Sequence, residues 1–97
     1  MIKHLVFFKF KPETSRSERE EALDELRSLP EKIDVIREFE VGEDVIHSPR
    51  SWDAVLIGTY DDLEALQKYQ RHEAHVPLVS KLQSLCDAIG AVDFEID

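Results

Sequence analysis

One cysteine, Cys86, and three glycines in 97 residues exclude several chemistries at once. No internal disulfide can form, and no all-cysteine metal cage can be built. The glycines are too few to assemble a phosphate-cradling loop. Basic side chains are also scarce, 12 against 21 acidic ones, for a formal charge of −9. Without clustered Lys and Arg to displace counterions, neither nucleic acid nor an anionic membrane surface is an expected partner. Apolar runs are short; Ala54-Val55-Leu56-Ile57-Gly58 is among the longest and falls far below a bilayer span. Met1-Ile2-Lys3-His4 opens no signal-peptide pattern, so a cytoplasmic location is expected. What is present is 42% hydrophobic residues beside 34% charged ones, the usage of an ordinary folded domain. The length suits one domain over residues 1–97.

Hydropathy alternates or repeats in a readable order. Residues 2–10 alternate, with Ile2, His4, Val6, Phe8 and Phe10 on one face and Leu5 and Phe7 between lysines on the other. Ser15 and Glu18 fit a capping box, and Ala22, Leu23, Leu26 and Leu29 keep helical spacing until Pro30, which is expected to end the helix. Residues 34–41 alternate again, and Gly42 to Ser51 read as a loop. Trp52 to Tyr60 is apolar on both faces, the mark of an inner strand. Asp61 with Glu64 starts a short helix bearing Leu63, Leu66 and Tyr69. Pro77 opens another, with Leu78, Val79, Leu82, Leu85 and Cys86 on one face, and Ala88 to Ile96 forms the last strand.

This order predicts an α+β, ferredoxin-like split βαβ fold: a four-stranded antiparallel sheet with helices on one face. Leu5, Phe7, Val55 and Ile57 are then left on a face that nothing in the chain covers. Several hundred Å² of apolar sheet at ~25 cal/mol per Å² is worth roughly 10 kcal/mol. That rivals the whole stability of a small domain, about 5–15 kcal/mol. Packing two such faces across a twofold axis removes the exposure, so an obligate homodimer is expected.

Chemistry concentrates in Tyr69-Gln70-Arg71-His72-Glu73-Ala74-His75, with His4 able to point to the same side of the sheet. A histidine among Ile2, Val6 and Phe8 needs a polar partner. Three readings are open. An imidazole exchanges a proton while a tyrosine hydroxyl holds a carbonyl; His72 and His75 share a metal, a weak spacing without the HExxH pattern; or the histidines only cap helix ends. No metal site and no cofactor is expected. Trp52 either lines a cavity or packs in the core. Cys86 reads as a small core residue, because nothing near it in sequence would lower its pKa.

Three segments together resemble the stress-responsive A/B barrel (Dabb) family. They are His4-Leu5-Val6-Phe7-Phe8-Lys9-Phe10-Lys11, then Gly42-Glu43-Asp44 followed by Ser51-Trp52-Asp53-Ala54-Val55-Leu56, and Tyr69 to Val76 against a Tyr-x-x-His-Pro-x-His signature. The resemblance covers essentially the whole chain and implies a dimeric α+β barrel. Some members are stress-associated plant proteins, and a few are polyketide cyclases that close a linear tetraketide by aldol condensation. Carried onto this chain, Tyr69 would orient a carbonyl, His75 would be the general acid/base and His4 a pocket wall. Two departures stand out: Ala54 where that cyclase type has a histidine, and Glu73 where the signature has proline. The expected function is a dimer binding a small, partly apolar molecule, with His4, His72 and Trp52 as ligand contacts. Two alternatives stand beside it, a cofactor-independent lyase or cyclase using Tyr69 and His75, and a purely structural stress-associated assembly.

Overall fold

The computed structural model describes all residues from Met1 to Asp97. Its elements are β1 (Ile2–Phe10), α1 (Arg16–Arg27), α2 (Leu29–Lys32), β2 (Glu38–Glu43), β3 (Ala54–Tyr60), α3 (Leu63–Arg71), α4 (Val76–Leu85) and β4 (Cys86–Glu95). They form one antiparallel sheet in the order β2-β3-β1-β4. The predicted ferredoxin-like arrangement is therefore the one observed, with β1 and β3 as the inner strands. No helix is long and apolar enough to cross a membrane.

Local chemistry sets most element ends. Ser15 and Glu18 form the full reciprocal capping box at α1. Pro30 does not end that helix. Ser28 closes it, and Pro30 sits in the first turn of α2, where its missing N–H costs nothing. The cap of α3 is Asp62, whose carboxylate accepts from the Ala65 N–H at 2.8 Å. Asp61, expected in that role, instead accepts from the Arg37 guanidinium at 2.8 and 2.7 Å. β2 starts later than its alternation suggested and runs through Gly42, because Ile33, Val35 and Ile36 are spent on packing beside α2. Trp52 and Asp53 precede β3 instead of opening it; the Asp53 N–H bonds the Phe8 carbonyl and its carboxylate takes the Phe10 N–H at 2.8 Å. Cys86 leaves the helix and becomes the first residue of β4.

The helices cover one face only. Ile2, Phe8 and Phe10 of β1 and Ala54, Leu56 and Tyr60 of β3 join Leu23, Leu26, Leu66, Leu78 and Leu82 in a single core cluster. Leu5, Phe7, Val55, Ile57, Val92 and Phe94 alternate onto the opposite face and belong to no part of that core. Phe94 is 44% exposed and Val92 54%. Trp52 lies against Phe7, ring centroids 5.9 Å apart, and its indole edge covers Gly90.

Candidate functional site

A row of four residues crosses the helix-covered face of the sheet. Phe39 on β2 pairs with Gly58 on β3, Gly58 with His4 on β1, and His4 with Asp93 on β4. The His4 ring is buried, and its Nδ1 donates to the Asp93 carboxylate. A carboxylate only accepts, so the bond places a proton on Nδ1 and holds the ring in one orientation. That is the polar partner an imidazole on this apolar face requires.

Both tyrosines of the chain meet above this row. Tyr60 ends β3 and Tyr69 lies near the end of α3, their ring centroids 5.0 Å apart. Each packs edge-on to His4, at 6.3 and 6.2 Å. Both are fully buried, and neither hydroxyl has a hydrogen-bond partner in the chain. Burial raises both phenols above their ordinary 10, so both stay protonated and can act as donors.

His75 comes from the turn between α3 and α4. Its ring lies 4.4 Å from that of Tyr69, centroid to centroid. The turn exists because His72 leaves the helical conformation, with ψ 140°, and Pro77 restarts a helix four residues after Glu73. Nδ1 of His75 lies 3.0 Å from the Gln70 carbonyl oxygen. A carbonyl can only accept, so Nδ1 carries the proton and Nε2 is a free base. Desolvation lowers the pKa of His75 below the ordinary 6.5; the bond to Gln70 opposes this, while the fields of His4 and His72 add to it. At neutral pH the ring is uncharged.

A cavity of about 170 Å³ lies between sheet and helices beside these groups. Its polar walls are His4, Gln70 and His75; Phe8, Leu56, Leu26 and Leu82 are among the apolar ones. A larger groove of about 500 Å³ follows the β2 edge past Arg27, Pro30, Glu40 and Ile57, but no imidazole or hydroxyl converges on it. Convergent polar groups in an apolar enclosure are the better mark of a ligand site.

His4 is thus brought to Tyr69 and His75, which lie far from it in sequence. His72 is adjacent but turned to its own backbone, its Nδ1 accepting from the Ala74 N–H at 3.0 Å. Trp52 stands on the other face of the sheet with Phe7, so it is no wall of this cavity. It lines a separate groove of about 280 Å³ with Phe7, Gly42 and Val55, because side chains of β1 alternate faces and Trp52 packs against Phe7, not Phe8. Nothing local in the sequence marks Asp93, Tyr60 or Gly58 as a neighbour of His4. The only sequence signal for Asp93 was a carboxylate alternating with Val92 and Phe94, and its partner depends on which strand lies alongside.

The model of the stress responsive A/B barrel domain matches residues 2–96. A stress-response A/B barrel domain-containing protein of Arabidopsis thaliana is 30% identical over 98% of this chain and 86% of its own length. Olivetolic acid cyclase of Cannabis sativa is 25% identical over 96% of this chain and 94% of its own. Among solved structures, a dimeric protein of unknown function with a ferredoxin-like fold from Bacteroides fragilis superposes with a TM-score of 0.81 at 29% identity, covering 98% of this chain and 95% of that one. A match across nearly every residue, on the fold that the strand order builds, places the chain in the stress responsive A/B barrel domain family.

Proposed function

We propose that this chain works as a homodimer in which each protomer binds a small, partly apolar molecule in the cavity between sheet and helices. The observation that carries the reading is the combination of apolar walls with two imidazoles whose Nδ1 atoms are both engaged, which leaves the Nε2 lone pair of His75 free. The dimer is supported by the uncovered apolar face and by the solved relative described as dimeric. His75 is the main polar contact, His4 lines the wall and Tyr69 backs His75. Native mass spectrometry of the gently purified protein tests this: a retained small molecule is expected, lost in His75→Ala with the fold intact. A ligand-free chain that also binds nothing from a library of small carbonyl compounds sinks it.

A second reading has its own support in His75. A neutral imidazole with a fixed Nδ1 proton and a free Nε2, beside a protonated phenol, is equipped to take a proton from carbon next to a carbonyl. The cyclase relative makes that reaction class worth testing first. Incorporation of deuterium next to the carbonyl of a bound ketone, abolished in His75→Ala, is the expected result. Exchange no faster than in buffer leaves the binding reading alone.

A further inference from the structure

One row on the sheet face away from the helices is uneven in height. Gly42 on β2, Val55 on β3, Phe7 on β1 and Gly90 on β4 pair in turn across it, so two of the chain's three glycines stand at its ends. No glycine has a positive φ, so backbone freedom is not what these positions need; what each lacks is a side chain. At Gly90 the reason lies within the chain. Trp52 leans across Phe7, and a Cβ on Gly90 would touch its ring at 3.5 Å. At Gly42 the chain supplies no reason, because a Cβ there meets nothing within 4 Å. The groove of about 280 Å³ opens at this notch, with Val55, Glu43 and Asp44 among its walls. Trp52 itself is 38% exposed, so the face carries a raised ring toward one end of the row and a hollow at the other.

Two aligned sheets can face each other across a twofold axis in two ways. With the axis across the strands, β2 lies over the partner's β2, and Glu40 in the middle row meets its own copy. Like charges so placed repel, and the chain already carries a formal charge of −9. With the axis along the strands, β2 lies over the partner's β4, and each row meets the same row reversed. Gly42 then faces Gly90 of the partner subunit, and the ring standing on that glycine faces the notch.

We infer that two copies of this chain pack with β2 of each over β4 of the other, and that Trp52 of each fills the groove at Gly42 of its partner. Inner faces of stacked sheets interdigitate at a spacing of about 10 Å, so a ring as large as indole needs a position without a side chain opposite it. The indole N–H is a donor only, and the carboxylates of Glu43 and Asp44 in that groove are acceptors for it. This pairing rests on the dimer reading above and adds its orientation and the residues that set it.

The test uses wild type, Gly42→Leu and Trp52→Ala, with dissociation constants from sedimentation velocity and subunit composition from native mass spectrometry. Gly42→Leu is expected to weaken the homodimer about tenfold or more, because an overpacked contact forms on both sides of the axis. Trp52→Ala, which leaves the groove empty on both sides, is expected to weaken it as well. Mixed in equal amounts, the two variants should form a heterodimer tighter than either homodimer. The enlarged residue of one then faces the shortened residue of the other, and the wild-type pair remains on the second side. A clash between the new side chain and Trp52 of its own chain is not relieved by mixing, so the heterodimer separates contact between chains from contact within one. A Gly42→Leu homodimer as tight as wild type, or a mixture without preference for the heterodimer, overturns the pairing and leaves the dimer reading standing. Where a variant alone loses its fold by circular dichroism, recovery on mixing supports the pairing and no recovery overturns it. A monomeric wild type sinks the dimer reading and this one with it.

Discussion

Asp93 and His4 face each other across the β1–β4 ladder, and the carboxylate accepts from the imidazole Nδ1. The pair ties an edge strand to an inner strand through a side-chain bond and fixes the orientation of a ring in the cavity wall. Asp93→Asn keeps the shape but replaces a charged acceptor by a neutral one, and the expected loss is about 1–2 kcal/mol of unfolding free energy. Urea denaturation of the two proteins checks it; an unchanged midpoint would mean that the bond is idle.

His75 makes stability depend on pH. Its pKa in the folded chain lies below the ordinary 6.5, so near and below that value the unfolded chain binds the proton more readily. The contribution is therefore present above pH 6.5 and is lost as pH falls through the folded value. Stability measured between pH 7 and pH 5 should drop, with a shallower drop in His75→Gln. An NMR titration of the His75 ring should give a midpoint below 6.5; a midpoint above it would contradict the burial argument.

Gly58 is held by Tyr60. A Cβ at residue 58 would meet the Tyr60 hydroxyl oxygen at 2.8 Å and ring carbon Cε2 at 3.0 Å. Gly58→Ala is expected to cost about 1–3 kcal/mol through overpacking. Because the obstacle is one side chain, most of the penalty should vanish in a Tyr60→Leu background. A double-mutant cycle by thermal or urea unfolding measures the coupling, and additive costs would place the strain elsewhere.

The uncovered face is the proposed dimer interface. Phe7 lies at its centre, between Val55 on β3 and Gly90 on β4, with Trp52 against it. Phe7→Asp puts a charge where two apolar faces would meet, and sedimentation velocity at micromolar concentration should show a shift from dimer to monomer or unfolded chain. A variant as dimeric as the wild type would mean that this face is not the interface.

Much of the fold was legible because period and punctuation are local. The alternation of Ile2 to Phe10, the box of Ser15 and Glu18 and the two-sided apolar run ending at Tyr60 each name an element without reference to distant residues. Boundaries failed where packing competes with local preference. Ile33, Val35 and Ile36 carry strand-like residues into a core connection, and Cys86 suits a helical face but pairs with Phe10 as the start of β4.

The chain itself determined which side chains could do chemistry: two tyrosines, four histidines and no cysteine pair, on elements whose order admits a split βαβ sheet. Only the folded sheet decided which of them meet. Strand neighbours are chosen by long-range pairing, which brings both Asp93 and Gly58 to His4 from far along the chain. One residue of alternation decided the rest, setting Trp52 with Phe7 outside while His4 and Phe8 turned inward, because successive side chains on a strand point to opposite faces.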